Sequence, residues 1–224
     1  MTLPAARPRR RLAVLLSGRG SNFEAIADAV ESGRIENAEI AAVISDVAEA
    51  PGLARARQRG LPAHAVDRRE IPGRAARERR MLDILENARP DLICLAGYMR
   101  VLSPAFVVKY RGRILNIHPA LLPAYPGLHA QRQALEHGVK IAGATVHFVD
   151  EGVDTGPIVL QAAVPVLEGD TEATLSARIL AEEHRLYPEA VRLYAEGRLE
   201  LRDRRVLVRP PAESLLPKPE TETG

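Results

Sequence analysis

Short apolar runs alternate with segments of helical periodicity through the first half of the chain. Leu12–Leu16 is a continuous apolar run that stops at Ser17-Gly18-Arg19-Gly20. From Asn22 to Ser32 the apolar positions recur at helical spacing, with Gly33 as the stop. Ile40–Ile44 predicts a second buried strand, Gly52–Arg59 a short helix ended by Gly60, and Ala63–Val66 a third strand. A strongly charged helix is predicted over Arg74–Ala88, halted before Pro90. Leu92–Ala96 reads as another buried strand, Pro104–Lys109 as a short helix, and Arg113-Ile114-Leu115 as a strand running into Asn116-Ile117-His118-Pro119. The pattern then changes. Ile141–Val149 and Ile158–Val166 predict two extended strands joined by the Asp/Gly-rich loop Asp150–Gly156. A last helix is predicted over Thr171–Glu196, opened by the cap-like Asp170-Thr171-Glu172 and expected to break or bend near Pro188.

Strands alternating with helices predict an α/β fold. The expected architecture is a doubly wound, mostly parallel central sheet with helices on both faces, the late strands forming an antiparallel addition. No repeat or linker divides the chain, so one domain is expected over residues 12–208. A disordered basic arm is expected over residues 1–11 and a disordered Pro/Glu-rich tail over residues 209–224.

Composition narrows the function. Of 224 residues, 46% are apolar and 27% charged, and the net charge of +2 gives no basic field that would call for nucleic acid or an anionic membrane surface. No apolar stretch reaches the length of a membrane span, and Met1–Arg11 lacks the apolar core of a secretion signal, so a cytoplasmic protein is expected. The single cysteine, Cys94, sits inside Leu92-Ile93-Cys94-Leu95 and reads as an inert buried thiol. His129, His137, His147 and His184 lack metal-ligand spacing, and no metal is expected. His147 alternates with Thr145 and reads as a structural or supporting residue.

Two places carry candidate chemistry. Residues at i and i+2 of a strand share a face, which sets Asn116 and His118 side by side at a strand's carboxyl end, where open α/β sheets bind ligands. An amide that can donate to a developing oxyanion, beside an imidazole that titrates near neutral pH, suits attack on a carbonyl. The same pair is compatible with a turn cap and a satisfied structural histidine, and spacing alone leaves both readings open. The second place is Ser17–Asn22, a strand-to-helix turn whose glycines allow close backbone approach and whose following helix offers free N–H donors to a phosphate. A dinucleotide fingerprint would need glycine where Phe23 stands, although Asp46 imitates the ribose-binding acid of nicotinamide enzymes.

Several ordered motifs together extend this reading over Leu12–Leu201. They are Leu16-Ser17-Gly18-Arg19-Gly20-Ser21-Asn22, Leu95-Ala96-Gly97-Tyr98-Met99-Arg100-Val101-Leu102-Ser103-Pro104 and Leu115-Asn116-Ile117-His118-Pro119. Leu121-Leu122-Pro123-Ala124-Tyr125-Pro126-Gly127-Leu128-His129, Gly143-Ala144-Thr145-Val146-His147-Phe148-Val149 and Asp154-Thr155-Gly156-Pro157-Ile158 complete the set. With these the chain resembles the phosphoribosylglycinamide formyltransferases. The resemblance implies transfer of a formyl group from 10-formyltetrahydrofolate, as co-substrate, to the amine of phosphoribosylglycinamide. It implies a catalytic trio of Asn116, His118 and Asp154, with Asp154 raising the pKa of His118. By the same resemblance Gly20, Ser21, Asn22 and Glu183 would hold the phosphoribosyl substrate. Arg74, Met99, Arg100, Val101, Leu102, Asn116, Asp150, Glu151, Gly152, Val153 and Asp154 would hold the folate. Small-molecule substrates and a monomer or homodimer are expected.

The departures are local. Ala120 stands where a serine is more usual, and Leu180 where a polar residue often lies one turn before Glu183. Without the family pattern, Asp154 would read as a turn former. The competing readings are a methionyl-tRNA formyltransferase, a formyltetrahydrofolate deformylase and a non-catalytic nucleotide-binding module. The first would carry a tRNA-binding domain beyond Val208, the second a regulatory domain before Leu12.

Overall fold

The computed structural model describes residues 9–211. Its first half alternates strand and helix: β1 (Arg10–Leu16), α1 (Ser21–Glu31), β2 (Ala38–Ser45), α2 (Pro51–Gln58), β3 (Ala63–Ala65), α3 (Arg74–Ala88), β4 (Leu92–Leu95), α4 (Pro104–Lys109) and β5 (Ile114–His118). There follow α5 (Ala130–Glu136), β6 (Ile141–Phe148), β7 (Ile158–Pro165), α6 (Glu172–Ala195), β8 (Leu199–Arg202) and β9 (Arg205–Val208). Seven strands form one sheet in the order β3-β2-β1-β4-β5-β6-β7. Pairing is parallel from β3 to β5 and antiparallel for β6 and β7, the expected doubly wound sheet with an antiparallel edge. The strands lie between two apolar layers: Leu12, Val14 and Leu16 enter the layer containing α1 and α6 residues, while Ala13 and Leu15 enter the one containing α3 and α4 residues. This two-sided burial is why β1 reads as a continuous apolar run rather than an alternating one.

Four features differ from expectation. Arg10 and Arg11 are not part of an arm; they begin β1, paired with Ala38 and Glu39. Residues 1–8 of the basic arm and most of the tail lie outside the described residues. The helix α5 and the hairpin β8–β9 have no counterpart in the predicted elements. Finally, α6 is not interrupted at Pro188. A mid-helix proline costs about 3 kcal/mol, yet here Leu175, Ile179, Leu186, Tyr187 and Val191 are buried on the packed side of the same helix, and burial of four or five such side chains outweighs it.

Tyr187, next to that proline, is fully buried and ties α6 to the sheet: its hydroxyl donates to the carbonyls of Leu95 (3.1 Å) and Leu115 (2.9 Å) at the ends of neighbouring strands. Tyr187→Phe keeps the ring and removes only this link. Urea unfolding of that variant should show about 1–2 kcal/mol lower stability with an unchanged denaturant slope.

Candidate active site

The chain reverses its direction of winding between β1 and β4, which lie side by side with β2 and β3 on one flank and β5 on the other. Crevices at such a reversal are where open α/β sheets bind ligands. Here the two loops that border it are stitched together: the Ser17 N–H donates to the Gly97 carbonyl (3.1 Å) and the Met99 N–H to Ser17 Oγ (2.9 Å).

On one side of the stitch lies the glycine turn after β1. Gly20 caps α1 in the left-handed region (φ 77°), and a Cβ there would stand 2.7 Å from Gly52 Cα at the start of α2, so only glycine fits. No side chain caps α1. Asn22 turns instead toward α6, where its Nδ2 donates to Glu183 Oε2 at 2.7 Å, both residues being buried. Burial pushes the Glu183 carboxyl up from its ordinary value, with the Asn22 bond working the other way. Asn22 Oδ1 is buried with no partner, so a polar ligand at this turn would find a ready acceptor.

On the other side a cavity of about 470 Å3 opens along the ends of β4, β5 and β6. Met99, Arg100, Val101, Leu102, Asn116 and His118 line it, with the whole segment Asp150–Asp154 opposite. Arg74 does not reach this cavity; it lines a smaller adjoining one of about 210 Å3 that shares Arg100, Val101 and Leu102. Asp46 is buried and accepts from Arg100 Nε at 2.9 Å, which takes it out of the ribose-binding position that the nicotinamide alternative required.

The polar cluster of the cavity follows from strand register. Asn116 pairs with His147 and His118 with Thr145 across the antiparallel β5–β6 ladder, so His147 stands beside Asn116 on the same face. His147 Nδ1 bonds the Phe148 carbonyl (2.9 Å), which fixes the tautomer and leaves Nε2 to accept from Asn116 Nδ2 at 3.1 Å. Asn116 Nδ2 also donates to Asp154 Oδ1 (3.4 Å). The second oxygen, Oδ2, takes the Gly127 N–H at 2.8 Å and lies 3.3 Å from His118 Nδ1. The remaining His118 nitrogen, Nε2, donates to the Tyr125 carbonyl at 2.8 Å. Thr145, fully buried, anchors the segment that presents these backbone groups: its hydroxyl donates to the Ala120 carbonyl and accepts from the Leu122 N–H.

Electrostatics refine one expectation. The Asp154 charge and the Tyr125 carbonyl do favour protonated His118, but burial is the larger influence and the imidazole lies below its ordinary value. Burial also works to raise the Asp154 carboxyl; His147, the Gly127 N–H and His118 outweigh it and hold Asp154 below the usual carboxylate range. The resting pair at neutral pH is therefore a neutral imidazole beside a carboxylate.

Comparison with known proteins agrees with this geometry. The formyl transferase family matches residues 10–191. The chain belongs to the phosphoribosylglycinamide formyltransferases. It is 47% identical over 192 residues to the phosphoribosylglycinamide formyltransferase of Escherichia coli, covering 86% of this chain and 90% of that protein. Glycinamide ribonucleotide transformylase 1 from Symbiobacterium toebii superposes with a TM-score of 0.89 at 55% identity, covering 94% of this chain and 99% of that one. The trifunctional purine biosynthetic protein adenosine-3 of Drosophila pseudoobscura is 50% identical over 195 residues, which is 87% of this chain and only 14% of that longer protein. As a phosphoribosylglycinamide formyltransferase the chain uses 10-formyltetrahydrofolate as formyl donor, and among the described residues no group of His, Cys, Asp and Glu is arranged to hold a metal.

The structure brings Asn116, His118 and Asp154 into one polar cluster and hydrogen-bonds Asn22 to Glu183 in another place. It adds backbone partners that residue types alone do not announce, the Tyr125 carbonyl and the Gly127 N–H. Both residues have positive φ, 53° and 82°, and the glycine was the one visible sign of an unusual turn. In the free protein the His118 ring should titrate below 6.5, and Asp154→Asn, which removes the group favouring the charged form, should lower it further. Histidine NMR titration of the two proteins measures both shifts. Because the unfolded chain binds this proton more readily, His118 should subtract stability as pH falls from about 6.5 through its folded pKa.

Proposed function

We propose that Asn116, His118 and Asp154 carry out formyl transfer from 10-formyltetrahydrofolate to the amine of phosphoribosylglycinamide, giving formylglycinamide ribonucleotide and tetrahydrofolate. The observation that carries the reading is the cluster itself: an amide, an imidazole and a carboxylate brought together on the wall of a cavity of about 470 Å3, next to a glycine turn suited to a phosphate. The folate lies along Met99–Leu102 and under Asp150–Asp154, with Arg74 and Arg100 in the adjoining cavity for its acidic end. The phosphoribosyl group meets Gly20, Ser21 and Asn22, and Glu183 accepts from its hydroxyls. Both substrates are small molecules, and the reaction belongs to the cytoplasm.

Chemistry then follows from the resting charges. The amine nitrogen attacks the formyl carbon, and the carbonyl oxygen becomes an oxyanion. Asn116 Nδ2 can give up its long 3.4 Å bond to Asp154 and donate to that oxyanion. Neutral His118 takes the proton released by the amine and delivers it to the departing folate nitrogen, so the C–N bond to folate breaks with the nitrogen leaving as a neutral amine rather than an anion. Asp154 stabilises the imidazolium while it lasts. No covalent enzyme intermediate is needed.

His118→Ala and Asp154→Asn should each lower kcat by about 10²–10⁴ while circular dichroism stays native. Near-wild-type turnover in either would end this assignment. Release of formate from the donor without the amine substrate would instead indicate a deformylase. Glu183→Gln should raise KM for phosphoribosylglycinamide by about tenfold, a loss near 1.4 kcal/mol, and leave KM for the formyl donor within twofold.

A further inference from the structure

Hairpin β8–β9 stands outside the seven-stranded sheet and beyond residue 191, where the family match ends. It nevertheless touches the catalytic loop. At its turn, Asp203 adopts a positive φ of 53° and the next residue, Arg204, donates from Nη2 to the Thr155 carbonyl at 2.8 Å. Thr155 follows Asp154 directly.

The hairpin is fixed at its other end. There Leu199 packs against the main apolar layer and the Arg209 N–H donates to the Arg198 carbonyl at 2.8 Å, while Val206, nearer the turn, packs against the same layer. Its four paired positions, from Leu199 with Val208 to Arg202 with Arg205, set where the turn projects. The loop it meets is tied down elsewhere as well. Thr155 Oγ1 donates to Asp150 Oδ1 at 2.6 Å, and Arg111 pairs with Glu151. A side chain at Gly156 would collide with the Phe148 carbonyl. Asp154, between these fixed points, holds φ 54°, a left-handed conformation unfavourable for a residue with a Cβ. The Thr155 carbonyl, one peptide further on, is held by Arg204, which limits how far the chain after Asp154 can shift.

We propose that Arg204 is a positioning residue for Asp154: the C-terminal hairpin clamps the loop carbonyl so that the carboxylate stays within reach of His118. The inference rests on the catalytic reading of Asp154. Arg204 is exposed, so its replacement should leave folding intact. Arg204→Ala should lower kcat/KM for the formyl donor about five- to tenfold, leave KM for phosphoribosylglycinamide unchanged, and speed amide exchange across residues 150–156. Arg204→Lys, which keeps a cationic donor, should recover part of the loss. In an Asp154→Asn background the same Arg204→Ala change should cost less than twofold, because the group it positions is gone. Additive losses, or a silent Arg204→Ala beside a severely impaired Asp154→Asn, would overturn this inference alone. A near-wild-type Asp154→Asn would overturn the catalytic reading and this inference with it.

Discussion

The carboxylate of Asp154 is the contact on which the site depends. Its two oxygens divide the cluster between them: Oδ1 takes the Asn116 amide, Oδ2 takes the Gly127 N–H and faces His118. Those partners come from two pieces of chain, β5 for Asn116 and His118 and the segment after Pro119 for Gly127. Asp154 itself arrives on the β6–β7 loop. The neighbouring His147 ring, the Gly127 N–H and the His118 ring hold this half-buried carboxylate below the usual range, against the cost of its desolvation. The same bonds fix its side chain, while the loop's own ties hold its backbone at positive φ.

That arrangement needs the sheet to place two sites close together. Parallel strands bring every carboxyl end to one edge, and the reversal between β1 and β4 opens a crevice there. The Ser17–Gly97 and Ser17–Met99 bonds then make the glycine turn and the cavity wall a single rim. An amine tethered to a phosphate at one loop and a formyl donor lying along the other would meet above β5, where Asn116 and His118 stand. Proximity of this kind removes much of the entropic cost of a bimolecular reaction.

Much of this was legible in the chain, for reasons that can be traced. The strands through β5 and their helices announced themselves because two-sided burial demands unbroken apolar runs, and the i, i+2 rule alone set Asn116 beside His118. Helix α5 gave little signal: Ala130, Ala134 and Leu135 are its only apolar residues, and it starts after His129 in the left-handed region, with no side-chain cap. Hairpin β8–β9 was hidden because its strands are four residues each, so the Leu199-Glu200-Leu201-Arg202 alternation is too short to stand out. At Pro188 tertiary burial outweighs the local tendency to interrupt the helix, and α6 runs on through it. The Tyr125 carbonyl and Gly127 N–H are backbone groups, which no residue type reveals. Asp154 was reachable only through the resemblance; its chemistry depends on a loop folding back across 36 residues from His118, a separation that periodicity does not encode.

The direction of the His118 shift decides what the ring can do. Had the Asp154 charge prevailed, the imidazole would rest as a cation and could only donate; it could not accept a proton from an amine. Burial prevails instead, so the ring rests neutral and retains a free base. Yet the same carboxylate waits 3.3 Å from Nδ1, positioned to offset charge as soon as the ring acquires it. In the proposed transfer, desolvation would set the resting state and the ion pair would lower the energy of the protonated one. A site with only the first would resist protonation throughout, and one with only the second would begin the cycle already protonated. A ring that gains and loses one proton within a single transfer requires both.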